Sequence, residues 1–225
     1  MTKTAVITGG SRGIGRSLVE IFAKNGYQVI SCSRNVDADI QQENVVFYEC
    51  DLSTREGQND FIDFVRKNSS RVDILINNTG LYVPGQIHNE ADGTLEKMIE
   101  TNLYSAYHVT RGLIDPMIKN KKGHIFNICS TASIMPYING GSYCISKYAM
   151  YGMTKVLREE MKEHEVKVTA ILPGATFTSS FDGTDFPEER LMKPEDVSES
   201  VYSISQLSFR ACVEELILRP QLGDL

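Results

Sequence analysis

The stretch Thr4-Ala-Val-Ile-Thr-Gly-Gly-Ser-Arg-Gly-Ile-Gly15 decides how the rest of the chain is read. Ala5, Val6 and Ile7 form a short continuous apolar run that fits a buried strand. Ile14, Leu18, Val19, Ile21 and Phe22 follow at roughly helical spacing, so a glycine-rich turn lies between strand and helix. Gly9, Gly13 and Gly15 are spaced G-x-x-x-G-x-G, which differs from the G-x-G-x-x-G dinucleotide fingerprint but can do the same work. A side chain at Gly9 or Gly13 would block a tight turn or the close approach of a phosphate, and Gly15 lets the helix lie near the strand. The free N–H groups of the helix start then meet a pyrophosphate. A purely structural strand-to-helix turn would also use such glycines, so the rest of the chain has to decide.

Further strand-like runs stand at Gln28–Cys32, Val45–Cys50, Val72–Ile76, His124–Cys129, Val166–Leu172 and Glu214–Arg219, with helical patterns between most of them. Strands alternating with helices predict an α/β fold: a doubly wound, three-layer arrangement with a parallel sheet of about seven strands. No repeat or linker divides the chain, so residues 1–225 are read as a single dinucleotide-binding and catalytic domain. Three irregular stretches, Leu81–Asp92, Thr131–Gly140 and Ala175–Lys193, each directly follow a strand. Ligands in open parallel sheets sit at the carboxyl ends of strands, so these loops are expected to wall a site.

Composition narrows the function classes. The chain is 41% hydrophobic and 23% charged, as expected of a soluble globular protein. Its net charge of -6 argues against nucleic acid as a partner, because neutralising phosphates needs clustered Lys and Arg. No apolar run nears membrane-spanning length and no leader pattern opens the chain, so the expected location is cytoplasmic, without a membrane partner. The five cysteines, Cys32, Cys50, Cys129, Cys144 and Cys212, include no CxxC pair and are read as reduced thiols. The four histidines lack metal spacing, so no metal site is expected, and His88 is read as a surface residue.

The second strand ends in Ser33-Arg34, about twenty residues after the glycines. An NAD site would usually place Asp or Glu there for the ribose 2′-hydroxyl, whereas Arg suits a 2′-phosphate. Arg12, within the glycine loop, adds a second guanidinium able to grip phosphate oxygens bidentately. Together the two arginines favour NADP(H).

Downstream, Tyr143 and Lys147 stand four residues apart at the start of a helical stretch, on one helix face. A phenol with a pKa of about 10 is a poor base near neutrality, and an adjacent ammonium is expected to lower that value. Such a Tyr donates a proton to a carbonyl or takes one from an alcohol. Tyr151 and Lys155 repeat the same spacing, so spacing alone does not choose between them.

These residues resemble the short-chain dehydrogenase/reductase family over nearly the whole chain. Thr8–Gly15, with Gly9, Ser11, Arg12, Gly13, Ile14 and Gly15, matches its TGxxxGxG cofactor motif. Asn77-Asn78-Thr79-Gly80 matches its NNAG motif with Thr in place of Ala. Asn102, Ser130, Tyr143 and Lys147 match its Asn-Ser-Tyr-Lys catalytic set, and Ser130 precedes Tyr143 by the family's thirteen residues. Ile138 stands in that relation to Tyr151, so the resemblance selects Tyr143 and leaves Tyr151 as a packing residue.

What the resemblance implies is a Rossmann fold and hydride transfer between NADP(H) and a small-molecule carbonyl or alcohol. Tyr143 would be the general acid in reduction, Ser130 would polarise the carbonyl, Lys147 would hold the nicotinamide ribose, and Asn102 would anchor a relay water. Asn78, Gly80, Asp51 and Leu52 would contact the cofactor, with Asp51 at the adenine. Pro173, Gly174, Thr176 and Thr178 would close over the nicotinamide, and Ser33, Arg34 and Arg12 match NADP-preferring members. Taken singly, Asn102 also reads as a helix N-cap, Asp51 as a turn residue and Ser130 as one of several serines after a strand. Cys129 and Cys144 flank the site, but no patterned His activates either, and packing is the simpler reading.

The carboxyl-terminal stretch after Glu214 is short for the family, which leaves homodimer and homotetramer equally open. Ala175–Lys193 is expected to form a substrate lid, whose Phe177, Phe181 and Phe186 fit an apolar or ring-bearing substrate or simple core packing equally. The expected activity is that of an NADPH-dependent carbonyl reductase. A 3-oxoacyl-carrier-protein reductase would need a basic patch for its acidic carrier, and none is evident. A non-catalytic NADP(H)-binding redox sensor is the reading from another class, and a broken catalytic set would mark it.

Overall fold

The computed structural model describes residues 2–36, 43–178 and 187–223. Among these, seven strands form one parallel sheet: β1 (Thr4–Thr8), β2 (Gln28–Ser33), β3 (Val45–Glu49), β4 (Ile74–Asn77), β5 (Gly123–Ile128), β6 (Val166–Pro173) and β7 (Glu215–Leu218). Their order is β3-β2-β1-β4-β5-β6-β7, the doubly wound Rossmann arrangement expected from the alternating pattern. The order reverses between β1 and β4, and the crevice at their carboxyl ends is where such sheets bind ligands.

Alternate strand residues feed two cores, as the two-residue period of a strand requires. Ala5, Ile7, Phe126 and Ile128 face α1 (Gly13–Lys24) and α7 (Pro194–Ser205), packing against Leu18, Phe22, Val197 and Val201. Val6, Ile30, Leu75 and Ile125 face α2 (Arg55–Asn68), and behind them lie α4 (Ser105–Leu113) and α5 (Asp115–Asn120). Phe61, Val65, Val109, Leu113 and Met117 close that layer. The longest helix, α6 (Gly141–Met161), covers β6 through Met150 against Ala170 and Leu172.

The strand ends lie within one or two residues of expectation, and each shift has a local cause. Val72 and Asp73 fall outside β4 because the Asp73 carboxylate, paired with Arg71, takes the Thr4 N–H at 3.0 Å in place of a backbone carbonyl. β7 is real, half exposed, and parallel to β6 from Glu215 opposite Ala170 to Leu218 opposite Pro173.

One helix departs from regular geometry. Between α3 (Thr94–Ile99) and α4, residues Glu100–Tyr104 form a π-helical turn, wider than an α-turn by one residue. Thr101 Oγ1 donates back to the Lys97 carbonyl at 2.8 Å and Ser105 Oγ to that of Thr101 at 2.5 Å, bonding carbonyls along the widened stretch. Asn102 sits in the middle of this turn, fully buried, and so is not a helix N-cap.

Candidate active site at the carboxyl end of the sheet

The loop from β1 into α1 is built as its glycines require. Gly9 has φ +69° and Gly13 φ +52°, in the left-handed region. A Cβ on Gly15 would lie 2.0 Å from the Gly9 carbonyl oxygen, so only glycine lets α1 start this close to the strand end. Gly10, which the spacing argument passed over, faces the same limit against the Ser31 hydroxyl at 2.1 Å. Arg12 is extended at the N-cap of α1 and makes no side-chain cap, which leaves the first N–H groups open. Ile14 packs against the core under this loop.

Across the switch point, Asn78 locks the loop to β4. Its side-chain amide donates to the carbonyls of Thr8 and Gly9, each at 3.0 Å, while the backbone N–H groups of Asn78 and Thr79 share the Thr8 hydroxyl. Thr79, in the family's Ala position, lays its hydroxyl 3.1 Å from where a Gly9 Cβ would be.

At the end of β2 the hydroxyls of Ser11 and Ser33 meet at 2.7 Å, joining the glycine loop to the neighbouring strand. Arg12 and Arg34 are both exposed here, and among the described residues neither has a carboxylate partner. Asp51 turns its carboxylate onto the Ser53 N–H at 2.9 Å, and its carbonyl accepts from Thr54, the N-cap of α2. Leu52 is buried among Phe61, Ile62 and Val65. Pro173 ends β6, the Gly174 N–H donates to Leu218 O at 2.7 Å, and the Thr176 hydroxyl returns to the Gly174 carbonyl. Thr178 reaches the glycine loop, its Cγ2 3.0 Å from a Cβ placed on Gly13. Phe177 is exposed, and Phe181 and Phe186 lie outside the described residues.

Asn102, Ser130, Tyr143 and Lys147 come together beside the Asn78–Gly80 loop. A Cβ on Gly80 would stand 3.6 Å from Asn102 Oδ1 and 3.7 Å from Lys147 Nζ. Asn102 accepts from the Leu81 N–H at 2.6 Å and donates to the Leu81 carbonyl and to Ser146 Oγ at 2.8 Å, so its side chain clamps the backbone after β4. Ser146 in turn donates to the Tyr143 carbonyl at 2.8 Å, which ties the clamp to α6. Ser130 caps a 3-10 turn, Thr131–Ser133, by accepting the Ala132 N–H at 3.1 Å.

The electrostatics differ from the expectation that the ammonium lowers the phenol. Burial pushes Tyr143 up to about 12, and it is the Ser130 hydroxyl, not Lys147, that opposes this. Lys147 Nζ donates to the Ile128 carbonyl at 2.9 Å and lies 5.9 Å from the Tyr143 ring centroid. Buried without an ion pair among the described residues, the ammonium is itself lowered to about 8. Tyr151 faces elsewhere: its phenol meets Glu215 of β7 and its ring packs against the small core that includes Met150, Ala170 and Leu172.

Two rings and one carboxylate at this site were not singled out from the sequence. Tyr82 stands edge-on to Tyr143, and Tyr137, 47% exposed, hydrogen-bonds Tyr82; burial and these neighbours raise the Tyr137 phenol. Glu90 contacts the first turn of α6. Cys129 and Cys144 are buried, and burial lifts the Cys129 thiol to about 11, far from a nucleophile. His88 is exposed, and the described residues hold no cluster able to take a metal ion. No helix among them is long and apolar enough to cross a membrane.

Similarity to known proteins runs along the whole chain. An uncharacterized oxidoreductase of Staphylococcus epidermidis is 28% identical over 224 residues, 97% of each chain. The sepiapterin reductase of Chlorobaculum tepidum is 27% identical over 244 residues, covering 100% of this chain and 99% of that protein. Among solved structures, an alcohol dehydrogenase from the archaeon Thermococcus sibiricus complexed with 5-hydroxy-NADP superposes with a TM-score of 0.91 at 27% identity, covering 100% of this chain and 99% of that one. The sequence model described as short chain dehydrogenase matches residues 3–186, which include the glycine loop, the Asn78–Gly80 loop and all four clustered residues. With that match spanning most of its length, this chain belongs to the short-chain dehydrogenase family of oxidoreductases.

Proposed function

We propose that the protein transfers hydride between NADP(H) and a small-molecule carbonyl or alcohol, working as an NADPH-dependent carbonyl reductase with Tyr143 as general acid. The observation that carries this reading is the convergence of Ser130, Tyr143, Lys147 and Asn102 beside Gly80, at the carboxyl end of the sheet and next to the glycine loop.

The residues present suit a dinucleotide phosphate. The cradle at Gly9 and Gly15 leaves room that a Cβ would fill, and the uncapped start of α1 presents N–H groups to a pyrophosphate. Arg12 and Arg34, exposed at the end of β2 beside Ser11 and Ser33, offer guanidinium groups to a 2′-phosphate. The cofactor in the Thermococcus sibiricus structure, 5-hydroxy-NADP, accords with this choice. When bound, the nicotinamide supplies or receives the hydride.

The chain's own groups do the rest. One lone pair of Ser130 Oγ is taken by the Ala132 N–H, which leaves its single O–H to donate to the Tyr143 oxygen and, once a substrate is bound, to turn to the substrate carbonyl instead. With its phenol raised to about 12, Tyr143 is protonated at neutral pH and ready to give its proton as charge develops on the carbonyl oxygen. Lys147 brings positive charge to the floor of the site from a backbone-anchored position, and the Asn102 clamp holds the loop that borders it. The rings of Tyr82 and Tyr137 make an aromatic wall that favours a ring-bearing or otherwise apolar carbonyl compound, and the sepiapterin reductase relative fits that preference. A homo-oligomer, dimer or tetramer, accords with Ile145, Tyr148 and Val156 left exposed on α6 and Tyr107 on α4.

The test follows NADPH absorbance with a panel of α-diketones, aromatic aldehydes, sugars and 3-oxoacyl thioesters, using Tyr143→Phe as control. Turnover on one chemical group, lost in the control, is the expected result. Tight NADPH binding without turnover on any of them would favour a cofactor-sensing role instead.

A further inference from the structure

A single carboxylate joins the loop after β4 to the first turn of α6. Glu90 accepts the Ser142 N–H at 2.9 Å, and its other oxygen accepts the Ser142 hydroxyl. Ser142 is the second residue of α6 and the neighbour of Tyr143. The first N–H groups of a helix have no partner within it and carry partial positive charge, so a carboxylate there both bonds and neutralises them. α6 has no acidic residue of its own in that turn and no side-chain cap at Gly140. Glu90 supplies both from 52 residues away.

The surrounding backbone is shaped to admit it. A Cβ on Gly141 would fall 1.9 Å from Glu90 Oε1, and one on Gly85 would fall 2.6 Å from Glu90 Cγ. The two loops are stitched together alongside: Gly85 N–H donates to the Asn139 carbonyl at 3.0 Å, and Gln86 Nε2 to Asn139 Oδ1 at 2.8 Å. The same loop touches α6 a second time through the Tyr82 ring on Tyr143.

We infer that Glu90 is a positioning residue for proton transfer: by anchoring the first turn of α6 it fixes the Tyr143 hydroxyl against Ser130 and joins that placement to the substrate-bordering loop. The inference rests on the reductase reading. Misplacing a reacting group by about 1 Å costs on the order of a hundredfold in rate, so loss of this anchor is felt in turnover before it is felt in cofactor binding.

The experiment compares wild type, Glu90→Gln, Glu90→Ala, Ser142→Ala and the Glu90→Ala/Ser142→Ala double variant. Four quantities are read: kcat and KM on whichever α-diketone or aromatic aldehyde the wild type reduces, NADPH Kd by fluorescence, and amide exchange over residues 141–145. Glu90→Gln keeps an acceptor for the Ser142 N–H but loses the charge and turns the hydroxyl bond into a weaker neutral one, so kcat falls about tenfold, and further in Glu90→Ala, with NADPH Kd within about twofold of wild type. Ser142→Ala adds no further loss on top of Glu90→Ala, and exchange at residues 142–144 rises about tenfold without Glu90. A Glu90→Ala protein with kcat within about twofold of wild type overturns the inference, as does a parallel loss of kcat and NADPH affinity, which marks general disruption. A wild type that binds NADPH but reduces none of the probes defeats the reductase reading and the proton-transfer role with it. Amide exchange, which needs no substrate, then decides separately whether Glu90 anchors the helix.

Discussion

The ring of Tyr82 meets that of Tyr143 edge-on, with centroids 4.9 Å apart and planes at 77°. Such a contact is worth about 0.5–1.5 kcal/mol beyond the area it buries, and here it sets the Tyr82 ring against the proposed acid. Tyr82→Ala is expected to raise KM for an aromatic aldehyde by about threefold to tenfold while leaving KM for a small aliphatic diketone nearly unchanged. Steady-state kinetics on the two substrates checks this, and equal effects on both would deny Tyr82 a selective role.

The two YxxxK pairs separate cleanly by mutation. Tyr143→Phe removes the proton donor and should lower kcat by about 100- to 10,000-fold with NADPH binding retained. Tyr151→Phe, which loses only its contact with Glu215 at the β7 edge, should keep turnover within about twofold. The reverse pattern would overturn the assignment and move the chemistry to Tyr151.

Cofactor choice is predicted to rest on Arg34, with Arg12 in support. Arg34→Asp removes a charge-assisted contact to the 2′-phosphate, worth about 1.5–3 kcal/mol, and puts an acid where the ribose 2′-hydroxyl would stand. The ratio of kcat/KM for NADPH over NADH should fall by about tenfold to a hundredfold. A ratio that does not move would show that Arg34 is a bystander.

The pH dependence of the two directions should diverge. Tyr143, raised to about 12, remains a proton donor throughout the neutral range, whereas Lys147, lowered to about 8, loses its charge just above neutrality. Reduction is therefore expected to be flat from about pH 6 to 7.5 and to decline as pH rises through about 8, while alcohol oxidation rises with pH. Initial rates in both directions across pH 6–10 test this, and a reductive limb controlled only above about pH 10 would remove Lys147 from the account.

His124 gives the fold an acid-sensitive point far from the site. It lies at the start of β5, 3% exposed, stacked on Phe126 and bonded through Nε2 to Thr169 at 2.7 Å, with Nδ1 unpartnered among the described residues. Burial lowers it from 6.5 to about 3. Between those values the unfolded chain binds a proton that the folded chain does not, so stability present above about pH 6.5 is lost as pH falls toward 3, on the order of 3–5 kcal/mol in all. The melting temperature should drop steeply between pH 6.5 and 4, and His124→Leu should flatten that limb. An unchanged slope in the variant would place the acid sensitivity elsewhere.

The parts of this protein that were legible in the sequence are those dictated by local chemistry. β1 and β4 read as strands because continuous apolar runs fit only a sheet covered on both faces, and Gly15 declared the close approach of α1 through its position alone. What was not legible depends on distant partners. Glu-Thr-Asn-Leu-Tyr at 100–104 has an ordinary helical composition, and only tertiary contacts make it a π-turn. Glu90 reads as one acid in a polar loop until Ser142 is brought beside it. Spacing offered the Tyr143–Lys147 pair alongside Tyr151–Lys155 and the family resemblance chose between them, yet the electrostatics differ from expectation, because sharing a helix face does not stop a long side chain from turning to the Ile128 carbonyl.

The π-turn at Glu100–Tyr104 also fixes how long this region can be. The one surplus residue in this turn puts α3 and α4 about 100° out of phase with a single continuous helix, and Asn102 is buried within the widened turn itself. Removing one residue there would allow a regular helix to heal across the gap, with Asn102 swung off the Leu81 backbone and Ser146. Homologous chains that keep the site should therefore vary in sequence through this segment but not in its count, and a natural one-residue gap there would be a sign that the oxidoreductase chemistry has been given up.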